Sequence, residues 1–281
     1  MGNTSAGKEC WRFGVLLAVL AGAMGSGLMA QESLRPAKSL PVPGEVFAVG
    51  DRPAFLISGR AGLARSGRAW VWYAPTLPGL PGAEERWMFQ KLQEAGIAVA
   101  GIDAGESYGS PAGCAVYDGL HAEMVRRGYS QRPVLLGRSR GGLMTLSWAA
   151  AHPQQVAAFA GIYPVCSLSS YPGLQRAAGA YGMTAEELQG RLVEFNPADR
   201  LGPLAKAGVP MFAIHGNVDT VVPLEANSGL AAERYRSFGG KFSLLVPEGQ
   251  GHNMWSGFFQ CQELVDFVIR HADPPAAEQD K

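Results

Sequence analysis

Runs of apolar residues alternate with amphipathic stretches along most of this chain. Residues 69–74, 97–102, 133–136, 156–162, 209–215 and 241–246 are short and apolar and read as strands. Residues 45–49 and 54–57 are briefer strand candidates. The unbroken apolar run at 97–102 fits a strand buried on both faces of a parallel sheet. Between these runs, residues 84–95, 116–127, 142–152, 225–238 and 258–271 carry helical patterns. Acidic residues open the first of these helices and Gly96 closes it, which suits the helix dipole. The loop at 75–82 is dense in Pro and Gly. Strand and helix in alternation at this spacing predict a mostly parallel sheet with helices on both faces.

One segment interrupts the alternation. Residues 165–205 lie between two strands and are too long for a plain crossover. They contain a helix pattern at 184–193, opened by Thr184 with Glu187 three residues on, a capping-box spacing. An insertion here would sit above the C-terminal edge of the sheet. It reads as a small helical cap over a site, against the alternative of a surface ornament. Tyr171 and Tyr181 within it are candidates to line a pocket.

The N-terminus reads differently. Lys8 and Arg12 precede an apolar run at 13–20, then small residues and Met29-Ala30-Gln31. This pattern is that of a secretory signal peptide at 1–30, with cleavage after Ala30 or near Ala21-Gly22-Ala23; an uncleaved anchor is the alternative. The remaining domain is 31–281, with 31–44 an exposed lead-in. Export to a secreted or periplasmic location would leave Cys114, Cys166 and Cys261, an odd number that allows one disulfide and one free thiol. No cysteine sits in a turn suited to catalysis, and no metal-ligand spacing occurs. Charge is balanced at 24 basic and 24 acidic residues. That leaves no electrostatic footprint for nucleic acid or an anionic membrane, and no stable membrane association is expected after signal cleavage.

The chemistry concentrates at Gly137-Arg138-Ser139-Arg140-Gly141. This G-x-S-x-G follows an apolar strand and opens a helix, the context of a nucleophile elbow. A serine hydroxyl needs a base, and the base needs a carboxylate to fix its tautomer. His252 lies in a glycine-lined loop after the last strand. Asp219 follows another strand by a short loop. His121 and His152 fall within or at the end of helices, and His271 closes the last helix, where a cation suits the dipole. The order Ser139, Asp219, His252 is nucleophile, acid, base.

These residues resemble those of the α/β-hydrolase serine hydrolases, especially the dienelactone-hydrolase and prolyl-oligopeptidase-like branch. The likeness rests on Gly137 to Gly142, on His215-Gly216-Asn217-Val218-Asp219 with Val222-Pro223, on Gly251-His252 and on Asn196-Pro197. It implies an α/β-hydrolase fold with Ser139, Asp219 and His252 as triad and His215 as a structural residue. It also implies an oxyanion hole from the N–H of Arg140 and an N–H after the third strand. There the sequence departs from the family's usual His-Gly: Pro75 and Pro78 have no N–H, which leaves Thr76 or Leu77. Serine followed by arginine is similar to the elbow of glucuronoyl esterases, which implies that the Arg140 guanidinium stabilises the oxyanion or holds a carboxylate.

Arg138, Glu106 and Trp255 complete the candidate substrate contacts, against structural alternatives. Arg138 pairs with Asp103 or Glu106, Glu106 steadies the elbow, and Phe258 and Phe259 pack the core. The expected protein is a secreted serine carboxylesterase working without cofactor or metal on a small-molecule or carbohydrate-linked ester, including that of a uronic acid. The rival readings are a serine peptidase acting on short peptides and a non-catalytic binding protein on the same scaffold.

Overall fold

The computed structural model describes residues 38–63 and 68–273. The expected signal peptide at 1–30 lies outside them. Eight strands form one sheet: β1 (Glu45–Val49), β2 (Arg52–Ile57), β3 (Trp70–Tyr73), β4 (Ala98–Ile102), β5 (Val134–Arg138), β6 (Ala158–Ile162), β7 (Met211–Ile214) and β8 (Phe242–Leu245). Their spatial order is β1-β2-β4-β3-β5-β6-β7-β8. β2 pairs antiparallel with β1 and β4, and all other pairs are parallel. This is the mostly parallel sheet that the sequence pattern predicts, in keeping with the α/β-hydrolase fold that the resemblance implies.

The helices are α1 (Arg86–Glu94), α2 (Pro111–Arg126), α3 (Gly141–Ala151), α4 (Leu174–Ala177), α5 (Ala185–Gly190), α6 (Leu192–Phe195), α7 (Gly202–Lys206), α8 (Leu230–Ser237), α9 (Ser256–Phe259) and α10 (Gln262–Ala272). Side-chain alternation along the strands sorts the core into two layers. Trp70 and Trp72 lie in the layer that also holds buried residues of α2, α3 and α8, with the Trp72 ring 4.7 Å from Trp148. Val71 and Tyr73 face the other way, onto α1 and α10. From β3 the chain crosses to β4 on one side, then to β5 on the other. The crevice at the C-terminal ends of β3 and β5 is therefore the topological switch point where ligands bind in open α/β sheets.

Several elements depart from expectation. α2 begins five residues earlier than position 116, because Ser110 caps it by accepting the Gly113 N–H at 3.3 Å and Pro111 suits its first turn. The helix expected at 225–238 opens with a π-helical turn, Glu225–Gly229. That turn aims Asn227 inward, where its Oδ1 accepts the Cys166 N–H at 3.0 Å and fixes the start of the cap. The last helix is two: Cys261 is extended and separates α9 from α10. The lead-in is not wholly exposed either. Pro41 and Val42 are buried, and Lys38 donates to Asp103 at 2.6 Å.

Residues 165–205, the segment expected as a cap, divide in two: α4, α5 and α6 lie in one small apolar cluster, whereas Leu201 and Leu204 of the α7 region join the main core. α5 carries the capping box, with Thr184 and Glu187 exchanging hydrogen bonds at 3.2 and 2.8 Å. In the small cluster the apolar side chains Leu168, Ala177, Tyr181 and Leu188 pack on Tyr108, Leu143 and Val222. Tyr181 is thus a packing residue, donating to the Tyr108 carbonyl at 2.9 Å, not an open pocket wall. Cys114, Cys166 and Cys261 are all free thiols. Burial pushes the Cys114 and Cys166 thiols up to about 12, so neither is a ready nucleophile.

Candidate active site

β5 ends at Arg138, and the next residue, Ser139, turns with φ of 50°. A non-glycine residue there is strained. Three backbone bonds hold it: its N–H to the Ile162 carbonyl at 3.0 Å, and its carbonyl from the N–H groups of Gly142 and Val165 at 2.9 and 2.8 Å. The turn is tight enough that a Cβ on Gly142 would lie 2.6 Å from the Val165 oxygen. Glycine is required at that position by close approach.

The structure brings Ser139, His252 and Asp219 together from three loops. Ser139 Oγ lies 3.0 Å from His252 Nε2, and His252 Nδ1 lies 2.8 Å from Asp219 Oδ2. Asp219 Oδ1 accepts the N–H groups of Val221 and Val222 at 2.9 and 2.8 Å. Burial alone would raise the Asp219 carboxyl. Hydrogen bonds from His215, the Val222 N–H and His252 outweigh it and hold the group at about 2. Asp219 is therefore ionised at neutral pH and takes the proton-bearing Nδ1 of His252, leaving Nε2 free to accept from Ser139. Burial pushes the His252 pKa down; the Asp219 hydrogen bond and charge oppose it. The Tyr163 ring, 4.3 Å from the imidazole, forms its floor.

His215 is fully buried. Its Nε2 donates to the Val222 carbonyl at 2.8 Å and lies 3.4 Å from Asp219 Oδ2, while Nδ1 pairs with the Ser228 hydroxyl at 2.8 Å. It supports the acid without reaching the serine. The other histidines stand apart. His152 stacks on Trp148 at 4.6 Å, and His121 bonds the Gln131 carbonyl at 2.9 Å. Burial and Arg270 push the His271 pKa down, against the cationic helix-end role expected for it.

Arg138 and Arg140 point to different partners. Arg138 is buried and donates to Glu85 at 2.6 Å. It meets neither Asp103 nor Glu106, and its burial removes it from substrate contact. Glu85 was hidden in the sequence because an acid before a helix reads as an exposed dipole partner. Arg140 pairs with Glu106 at 2.6 Å, and both side chains are partly exposed, at 19% and 38%.

Thr76 is buried, with its methyl 3.7 Å from where a Gly141 Cβ would stand, whereas Leu77 is half exposed. Neither their N–H groups nor that of Arg140 has a protein acceptor among the described residues. Trp255 is 40% exposed and rests edge-on against Phe258 at 5.3 Å. Phe258 and Phe259 are buried core residues. Among the described residues no three His, Cys, Asp or Glu side chains converge as a metal site requires.

The fold has known counterparts. Residues 121–273, more than half of the chain, match the prolyl oligopeptidase family. No curated protein matches the chain. Solved structures share the fold at low identity. A puromycin-hydrolysing peptidase of Mycobacterium tuberculosis superposes with a TM-score of 0.63 at 15% identity, over 82% of this chain and 40% of that one. An acylaminoacyl peptidase of Pyrococcus horikoshii gives 0.65 at 14%, over 85% and 42%. MPT51 (FbpC1) of Mycobacterium tuberculosis gives 0.65 at 18%, over 82% and 99%. The chain thus spans about two fifths of the length of either peptidase. With the sheet, the elbow and the match spanning Ser139, Asp219 and His252, the chain belongs to the prolyl oligopeptidase family and is a serine hydrolase of the α/β-hydrolase fold.

Proposed function

We propose that the protein is an exported carboxylesterase in which Ser139 is the nucleophile, His252 the base and Asp219 its orienting acid. The observation that carries this reading is the continuous relay from Ser139 Oγ through His252 to Asp219, at 3.0 and 2.8 Å. As Ser139 Oγ bonds to the ester carbonyl carbon, its proton passes to His252 Nε2. The carbonyl oxygen becomes an oxyanion, held by the N–H of Arg140 and that of Thr76 or Leu77. When the oxyanion collapses, the ester C–O bond breaks and the imidazolium proton leaves with the alcohol. Water then attacks the acyl-enzyme with His252 again as base, releasing the acid and restoring Ser139.

The substrate class we propose is a carbohydrate-linked ester, including that of a uronic acid. The export pattern at 1–30 and the cation of Arg140 beside the nucleophile support it. Glu106 holds that cation, so a substrate carboxylate must compete with Glu106 for it. Trp255, three residues beyond His252 and 40% exposed, is the aromatic face proposed to stack on a sugar ring.

A second reading, cleavage of short peptides, has the family itself and the two peptidase likenesses in its favour. Purified protein assayed on matched panels of sugar esters and short peptide amides separates the two. Esterase activity confined to Ser139-intact protein supports the first reading. Peptide cleavage at higher kcat/KM than any ester would replace it.

A further inference from the structure

Arg138 directly precedes the nucleophile, yet its guanidinium is buried beneath the site. Its side chain is 9% exposed and that of Glu85 only 1%. Glu85 Oε1 accepts both Arg138 Nη1 at 2.6 Å and the Tyr73 hydroxyl at 2.9 Å. Glu85 Oε2 accepts the Gly82 N–H at 2.8 Å. The other arm of the guanidinium, Nη2, donates to Met254 Sδ at 3.0 Å. Its flat face lies 4.9 Å over the Phe259 ring.

Burying a charge pair carries a desolvation cost that apolar residues of the same size avoid. This pair is placed where that cost has a geometric return. It ties the residue before Ser139 to the second residue after His252, and both to the end of β3. Ser139 and His252 lie 113 positions apart in sequence on separate loops, and the contacts of Arg138 connect the residue before one to a residue beside the other. We propose that Arg138, held by Glu85, is a positioning residue that sets the approach of His252 to Ser139 through Met254 and Phe259. The proposal rests on the nucleophile and base assigned above.

The same cation also acts through its field. The charged and titratable groups facing the imidazole are Asp219, which favours its protonation, and His215 and Arg138, which oppose it. Tyr163, from the end of β6, covers its face. Glu85 keeps Arg138 charged, outweighing the effect of burial.

The test uses the full chain and p-nitrophenyl acetate. Replacing Arg138→Met together with Glu85→Gln removes both charges and keeps an oxygen acceptor for Tyr73 and Gly82. The expected result, in protein folded by circular dichroism, is kcat lower by about tenfold or more, with KM changed by less than about twofold. The acid limb of kcat/KM should move to higher pH. Unchanged kcat with an unmoved limb overturns the proposal, as does a raised KM with unchanged kcat, which would put Arg138 on the substrate. Met254→Leu, at a half-exposed position, removes only the sulfur acceptor and serves even if the double variant fails to fold. It should lower kcat by about threefold with KM unchanged, and wild-type kcat would overturn the link to the base. Ser139→Ala is the control: activity persisting there would sink the catalytic assignment itself, which is a separate failure.

Discussion

Asp219 places one carboxylate oxygen 2.8 Å from His252 Nδ1 and gives the other to the N–H groups of Val221 and Val222. The acid is thereby fixed in place and in charge, with its pKa held at about 2. His252 must be neutral to accept the serine proton. Its pKa is lowered, with burial as the main cause, so activity falls as pH drops through a value below the ordinary imidazole pKa of about 6.5. A pH profile of kcat/KM on a neutral ester should show a single acid limb with its midpoint below about 6.5. A midpoint above that value would contradict the electrostatics of the site.

Replacing Asp219→Asn should leave the loop bonds to Val221 and Val222 in place but stabilise the wrong imidazole tautomer. The expected loss in kcat is about a thousandfold or more, far beyond the modest loss of thermal stability that follows from removing a carboxylate whose pKa the fold depresses. Equal loss of activity and of folded protein would mean that Asp219 serves structure alone.

Ser139 carries backbone strain at φ of 50°. Ser139→Ala and Ser139→Gly should both be inactive but should differ in stability. Glycine adopts this conformation freely, a gain of about 1 kcal/mol, partly offset by its entropy in the unfolded chain. The Gly variant is expected to unfold at or above the temperature of the Ala variant. A clearly less stable Gly variant would argue against the strained turn.

A Cβ added at Gly216 would collide with the Gln250 carbonyl. That contact joins the loop of Asp219 to the loop of His252. Gly216→Ala should therefore lower kcat by roughly tenfold or more by moving acid and base apart, with Ser139 undisturbed. Kinetics of the folded variant at wild-type rate would show that these loops yield without consequence.

The Arg140–Glu106 ion pair offers a test of the proposed substrate class. If Arg140 holds a carboxylate, Arg140→Ala should cost uronate esters roughly tenfold more in kcat/KM than neutral acetyl esters. Glu106→Gln should lower KM for the uronate ester by freeing the guanidinium. Equal losses on both ester classes would leave Arg140 with an oxyanion role only.

The strands that build the sheet core were legible because a strand buried on both faces is apolar along its buried run, as at 98–102 and 134–137. The convergence of Ser139, Asp219 and His252 was legible because each follows a parallel strand, and the C-terminal ends of β5, β7 and β8 lie along one edge of the sheet. Glu85 was not, because its burial depends on Arg138, which lies 53 positions away in sequence. The break between α9 and α10 has no sequence signal, because Phe258 and Phe259 fit an amphipathic helix as well as they fit a buried corner. The π-helical turn at Asn227 was hidden for a similar reason, its cause being the cap backbone it clamps.

The central claim is that Ser139 is a nucleophile activated by His252. Folded protein treated with a fluorophosphonate probe, digested and read by mass spectrometry tests it most directly. The account predicts one adduct, on Ser139, forming at least about a hundredfold more slowly in His252→Ala. No adduct, or an adduct on another residue formed at the same rate with or without His252, would contradict it.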